Sequence, residues 1–451
     1  MIRLPLVLVH GYSADAGSFR KWSEELGRRG YDVSTIHVCN YRSLTNEVTI
    51  RDVAEGFDRA LRVRAGLDTD EPFDAIVHST GMLVVRSWLT AYAGRRDRLK
   101  HLVALAPATF GSPIAHKGRS WLGALFKGNR ELGPDFLEAG DKILDGLELG
   151  GRYTWDLAHQ DMLGPETYYG PTGATPFVFI FCGDSGYTGV SAVANQPGSD
   201  GTVRWSGCAL NMRKIVLDLS VDPARVGGVG GAGRVNVEPW PNLDILMIPV
   251  AGKNHGTILS APGKWLVDTV DSALSVSAPE EFDKWLATAE KDSDPTRRKM
   301  DEWQQFVIRA VDERGDPVTD YNVQLYSRRG DDEEPIPFAV DVHTYLADSS
   351  LRCFHANLTR LAIGDMKSLW IRVIASSGSA LVGYTGFGSD KMGDVSSGTS
   401  HDGKWDGELD LSSLVGDAQV KFFFPYTTTL VEIRLNREPL PLSGRNEVCW
   451  F

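Results

Sequence analysis

Phe73-Asp74-Ala75-Ile76-Val77-His78-Ser79-Thr80-Gly81-Met82-Leu83-Val84-Val85-Arg86-Ser87-Trp88-Leu89 is the stretch from which the rest of the sequence is read. Phe73 to Val77 is a short apolar run bounded by a turn, as expected of a buried strand. His78-Ser79-Thr80-Gly81 reverses direction at once, and Leu83, Val84 and Trp88 then continue as the apolar positions of a helix. A serine on so sharp a strand-to-helix turn is held out at the end of a sheet. The helix behind it aims backbone N–H groups at any negative charge that develops there.

The flanks extend the same alternation. Leu4 to Val9 is a continuous apolar run closed by His10-Gly11-Tyr12, which suits a strand buried on both faces. An amphipathic helix is expected over Ser18 to Arg29, a strand over Tyr31 to Val38 and a helix over Val48 to Leu67. Leu99 to Leu105 is a further buried strand. Strands alternating with helices predict an α/β unit with a mainly parallel sheet. The alternation stops at Phe110. Helical pieces rich in Trp, Leu and Phe run to Thr175: Trp121 to Phe126, Leu132 to Leu149 and Trp155 to Leu163. Pro176 to Cys182 resumes as a strand, and Lys214 to Leu219 with Arg234 to Glu238 reads as a hairpin. Asp244 to Val250 is a last core strand, followed by Asn254-His255-Gly256 and a helix over Lys264 to Leu274. Gly227 to Gly233 stands between hairpin strands, and no Gly-Lys-Ser/Thr follows it, so it is no phosphate loop.

Ser277 with Glu280 has the spacing of a capping box opening a helix to about Lys291. The charged run 292–302 reads as a linker. From Trp303 only strands are expected, among them Phe306 to Val311, Val323 to Tyr326, Leu369 to Ile374, Lys421 to Phe424 and Leu430 to Leu435. Short strands separated by Gly, Pro, Asp and Ser predict a β-sandwich-like domain. The expected division is therefore a catalytic domain over 1–291, a linker over 292–302 and an all-β domain over 303–451.

The central stretch resembles the nucleophile elbow of the α/β-hydrolase family, G-x-S-x-G. Ser79 stands at the nucleophile, Gly81 at the last glycine and Val77 at the first. The order of strands and helices around it is similar to that family's core. With the His-Gly strand opening the sequence, the likeness is to compact bacterial lipases rather than long esterases. A serine hydroxyl needs an imidazole to take its proton and a carboxylate to fix that imidazole. The resemblance implies His255, in the turn after the last core strand, as the base. His10 and His78 belong to motifs where they orient or pack, and His343, His355 and His401 fall in the β domain. Two residues compete for the acid. Asp200, in Gly198-Ser199-Asp200-Gly201-Thr202-Val203, resembles the D-G-x-V stretch of bacterial lipases and is preferred to Asp184, which lies directly after the preceding strand. The implied oxyanion donors are the N–H groups of Thr80 and Tyr12. The position of 110–175 implies a lid or cap. The Gly183-Asp184-Ser185-Gly186 run mimics trypsin-like proteases, whose two barrels and early histidine are missing here.

The expected activity is hydrolysis of carboxylic esters, most like a lipase, through an acyl-enzyme and without cofactor or metal. The implied partner is a lipid or other ester, with the β domain orienting the enzyme at a lipid surface. A soluble-ester carboxylesterase or thioesterase, an amidase, and a non-catalytic binding protein on the same scaffold stay open. Across 451 residues no apolar run is long enough to span a membrane, and a net charge of -12 argues against a nucleic-acid partner. The five cysteines form no C-x-x-C pair, which argues against structural zinc, and a Cys182–Cys208 bridge is left open. Met1 to Val9 lacks the features of a signal peptide, so the expected location is cytoplasmic, with export by an unmarked route as the alternative.

Overall fold

The computed structural model describes residues 3–11, 19–36, 47–117, 141–170, 175–189, 192, 195–222, 235–237, 245–329, 332–337, 339–342, 345, 347–361, 363–379, 381–389, 395–398, 404–416 and 422–439. Two units are present, Met1–Met212 with Trp240–Asp301, and Arg213–Pro239 with Glu302–Phe451.

The first unit is built on β1 (Leu6–Val9), α1 (Arg20–Arg28), β2 (Val33–Ile36), α2 (Ile50–Val63), β3 (Phe73–His78), α3 (Gly81–Ala91), β4 (Leu99–Leu105) and β5 (Phe177–Gly183). The excursion that follows β5 contributes β6 (Arg213–Asp218) and β7 (Val235–Val237), and β8 (Met247–Val250) then returns to the first unit. The sheet order is β2-β1-β3-β4-β5-β8, with every pairing parallel. β1, β3 and β5 are buried at every position, which is why they read as unbroken apolar runs. α2 begins with a capping box in which Thr49 and Asp52 satisfy each other's N–H groups. α3 is buried from Gly81 to Leu89.

Within 110–175, the residues 118–140, and with them Trp121 to Phe126, lie outside the described residues. The described part forms helices Asp141–Leu147 and Arg152–Asp161. Trp155, Leu157, Met162 and Tyr169 are buried there. Arg86 of α3 makes a fully buried bidentate pair with Asp161, at 2.7 and 2.9 Å, and Tyr169 donates to the same carboxylate. This part is core packed on α3.

The second unit holds a four-stranded antiparallel sheet, β11 (Asp332–Pro335), β10 (Asp320–Arg329), β14 (Trp370–Ser376) and β17 (Lys404–Asp410), in that order. Its other sheet runs β12 (Ala339–Val342), β13 (Leu351–Asn357), β9 (Trp303–Asp312), β18 (Thr428–Pro439), β15 (Val382–Ser389) and β16 (Val395–Gly398). One apolar cluster draws on both, with Phe306, Ile308, Val431 and Ile433 from one and Leu325, Ile371, Val373 and Leu409 from the other.

Four expectations change. The hairpin β6–β7 belongs to the second unit, because β6 pairs in parallel with β18 from Arg213↔Thr429 to Asp218↔Arg434. The expected linker 292–302 begins inside a helix, Pro279–Arg297, whose inner face buries Phe282, Trp285, Ala289 and Ser293. The charges that suggested a linker are its outer face, and Pro295 falls in its last turn. Ser277 bonds Glu281 rather than Glu280, through both its N–H and its hydroxyl at 2.8 Å. The strand expected over Lys421 to Phe424 is irregular at Phe422–Phe424. There the Gln304 side chain takes a strand's place, donating to Phe422 O at 3.0 Å and accepting from Phe424 N at 2.7 Å.

Candidate active site

β1 and β3 run side by side, from Leu6↔Asp74 to Val9↔Val77, while β2 and β4 lie on their outer edges. The chain winds away in opposite directions from this pair. Such a reversal leaves a crevice beyond the carboxyl ends of the two strands, where open α/β sheets place ligands. His10-Gly11 and His78-Ser79 emerge there.

Ser79 has φ 55°, in the left-handed region. That conformation costs a non-glycine residue about 1–3 kcal/mol and persists only when its surroundings impose it. Its N–H donates to Leu105 O at 3.3 Å, and its carbonyl accepts from Met82 N and Ala108 N, both at 3.1 Å. The end of β4 and the start of α3 therefore fix the turn together. Two glycines let β1 come close. A Cβ on Gly11 would lie 2.6 Å from Ser79 Cβ and 3.0 Å from Thr80 N, and one on Gly81 would lie 2.7 Å from Val9 O. Val77, at the elbow's first glycine position, sits fully buried in β3 and does not prevent the turn, since the tight approaches fall at Gly11 and Gly81. Thr80 is the residue before α3, its side chain makes no capping bond, and its N–H has no acceptor among the described residues. Tyr12 lies outside the described residues.

His255 follows β8. Its Nδ1 lies 2.9 Å from Asp200 Oδ2, and its N–H donates to the Asp200 carbonyl at 3.1 Å. Asp200 is completely buried. Its Oδ1 accepts from the N–H groups of Thr202 at 2.9 Å and Val203 at 2.8 Å, so the loop holds the carboxylate in one orientation. An acceptor on Nδ1 places the imidazole hydrogen there and presents Nε2 as a lone pair. Among the described residues Nε2 has no hydrogen-bond partner. The His78 ring lies 4.5 Å from the His255 ring between centroids, and His78 Nε2 donates to the His255 carbonyl at 3.0 Å. His255 is thereby tied to the residue next to Ser79.

Asp184 sits elsewhere. Its Oδ1 accepts from Ser185 Oγ at 2.8 Å and from Gly252 N at 2.7 Å, which closes the turn after β8. The structure thus brings Asp200, and not Asp184, to His255. Cys182 and Cys208 are free thiols 3.6 Å apart, and Cys182 Sγ lies 3.6 Å from Asp200 Oδ2. Burial pushes both thiols above their ordinary pKa, the more so for Cys182, so neither is an activated nucleophile. Sequence reasoning missed the bond from His78 to His255 and the thiol behind Asp200. Adjacency to Ser79 was a signal for the first; nothing in the sequence marked the second. Among the described residues, no cluster of three His, Cys, Asp or Glu side chains is suited to a metal, and no helix is long and apolar enough to cross a membrane.

No family model and no curated protein matches the chain. Solved structures do. Phospholipase PlaB from Legionella pneumophila matches with a TM-score of 0.76 and 22% identity, over 96% of this chain and 94% of that one. Its complex with thio-NAD matches with a TM-score of 0.74 and 23% identity over the same shares. The mature lipase BlEst2 from Bacillus licheniformis covers 59% of this chain and 90% of its own, at a TM-score of 0.37 and 14% identity. The parallel sheet, the serine turn at its switch point and the PlaB match along nearly the whole length agree: this chain has the α/β-hydrolase fold, followed by a C-terminal β domain.

Proposed function

We propose that this chain is a serine hydrolase of carboxylic esters, acting on the acyl esters of lipids. Ser79 is the nucleophile, His255 the general base and Asp200 the carboxylate that orients it. The observation that carries this reading is the 2.9 Å Asp200–His255 bond, which leaves Nε2 of the imidazole without a hydrogen-bond partner among the described residues, in a histidine whose carbonyl is bonded to His78, the residue before the strained Ser79.

In the first half-reaction Ser79 Oγ adds to the ester carbonyl while His255 Nε2 takes its proton. Asp200 stabilises the imidazolium and keeps the ring in place. The carbonyl oxygen becomes an oxyanion at the N-terminus of α3 and receives the Thr80 N–H. On the strength of His10-Gly11-Tyr12, Tyr12 N–H is the second donor. His255 then returns the proton to the departing alkoxide, and water repeats the sequence on the acyl-enzyme.

The likeness to a phospholipase structure makes phospholipids the first lipids to try. The test is hydrolysis of esters of rising acyl length, as monomers and as phospholipid vesicles, with Ser79→Ala as control. Ser79-dependent rates that rise with chain length and with vesicles support the lipid assignment. Ser79-dependent activity confined to short soluble esters would replace it with a carboxylesterase, and no activity on any ester would remove both.

A further inference from the structure

We propose that His78 is a positioning residue for the base: a permanently neutral imidazole whose Nε2–H holds the His255 carbonyl and whose ring faces the His255 ring. This rests on the serine-hydrolase reading above. The contacts fix its tautomer. A carbonyl oxygen only accepts, so the 3.0 Å contact with His255 O requires the hydrogen on His78 Nε2. Nδ1 is then a lone pair, buried without a hydrogen-bond partner among the described residues. A second proton there would make a buried cation with no acceptor, 4.5 Å from a ring that must itself become cationic. The ionisable groups that bear on His78 are histidines, His255 after β8 and His10 after β1, and Asp200 is bonded to His255 Nδ1. Burial first, and then the charge of His255, hold the His78 pKa well below the ordinary histidine value.

Two consequences follow for catalysis. The His255 backbone is pinned at both of its polar groups, its N–H to Asp200 O and its carbonyl to His78 Nε2. The imidazole therefore hangs from a fixed point, where a displacement of about 1 Å costs about 100-fold in rate. The neutral neighbour also adds no charge repulsion when His255 takes the serine proton.

The test pairs spectroscopy with kinetics on the full chain. Imidazole ¹⁵N NMR should show His78 as one Nε2–H tautomer that stays neutral from pH 8 to 5. Titration of His78 to the cation within that window overturns the proposal, whatever the activity. His78→Phe keeps an aromatic ring and loses the donor, and should lower kcat about 10- to 100-fold with little change in KM. His78→Gln places an amide N–H near the position of Nε2 and should recover most of the loss. Parental kcat in His78→Phe, or a Gln variant as slow as the Phe variant, contradicts the role. If His78→Phe does not fold, His78→Asn, whose shorter amide does not reach the carbonyl, replaces it. Ser79→Ala is measured alongside: full activity in that variant overturns the hydrolase reading, while the His78 spectrum stands or falls separately.

Discussion

Two aspartate–histidine pairs sit at opposite ends of one sheet, and only one of them is the pair we propose for catalysis. At the carboxyl ends of the strands, Asp200 holds His255 by Nδ1, Nε2 has no hydrogen-bond partner among the described residues, and the His255 carbonyl is bonded to His78, the residue before Ser79. At the amino ends, Asp74 of β3 and His101 of β4 are cross-strand neighbours, with Oδ1 and Nδ1 2.6 Å apart. His101 Nε2 donates to Val276 O at 2.6 Å, so both of its nitrogens are spent inside the protein. Phe177 and Phe179 stack on that ring. A buried His–Asp contact therefore does not identify a catalytic base. What separates the two is the second nitrogen: in His101 a carbonyl engages it, and in His255 it has no hydrogen-bond partner among the described residues, as the proposed base requires.

The comparison breaks most readily at the serine. Ser79→Ala should lower ester hydrolysis by about 10⁴-fold or more with the fold intact. Initial rates and thermal unfolding check this together. Asp200→Asn should cost about three to four powers of ten, because an amide can leave the imidazole in the wrong tautomer. Asp184→Asn should stay within about tenfold, since Asp184 bonds Ser185 and Gly252 rather than His255. The reverse ranking would move the acid to the first loop. Gly11→Ala should lower kcat about 100-fold, as its methyl would stand 2.6 Å from Ser79 Cβ and close to Thr80 N. Asp74→Asn should leave the rate on a soluble ester within about threefold and lower stability by about 1–3 kcal/mol.

Asp74→Asn also sharpens the contrast through pH. For His101, burial opposes the charged form, but the bond and charge of Asp74 prevail and raise its pKa. For Asp74, burial outweighs His101 and raises its pKa too. The pair thus keeps its shared proton above the pH at which the unfolded chain releases it. The His101 contribution is full below the ordinary histidine pKa of about 6.5 and is lost as pH rises through its folded value, while the raised Asp74 pKa costs stability from the ordinary carboxylate pKa of about 3.9 upward. Denaturant titrations from pH 6 upward should show stability falling in the parent, with that slope reduced in Asp74→Asn. Equal slopes would mean the two groups do not share a proton.

The sequence made the sheet legible because β1, β3 and β5 are short and buried on both faces, and the serine turn legible because Ser79 and Gly81 stand between a strand and a helix. The preference for Asp200 rested on the Asp-Gly-Thr-Val run alone. Its physical basis, two N–H groups from Thr202 and Val203, appears only in the folded loop. His78 is marked in the sequence by its place next to Ser79, but that place does not distinguish packing from positioning. The allegiance of β6 is hidden for a different reason: a short run buried at four consecutive positions does not say which sheet it joins, and here β18 supplies the edge. A chain cut near Asp294 would therefore leave β6 without its partner strand, so removing the C-terminal domain is not a clean deletion.

The most direct measurement is covalent labelling of the folded protein with a fluorophosphonate, followed by peptide mapping. A single adduct on Ser79, slowed by Asp200→Asn and unaffected by Asp74→Asn, is the predicted result. An unlabelled Ser79 in the folded chain, or labelling equally slowed by both aspartate substitutions, would contradict the division of the two pairs into chemistry and structure.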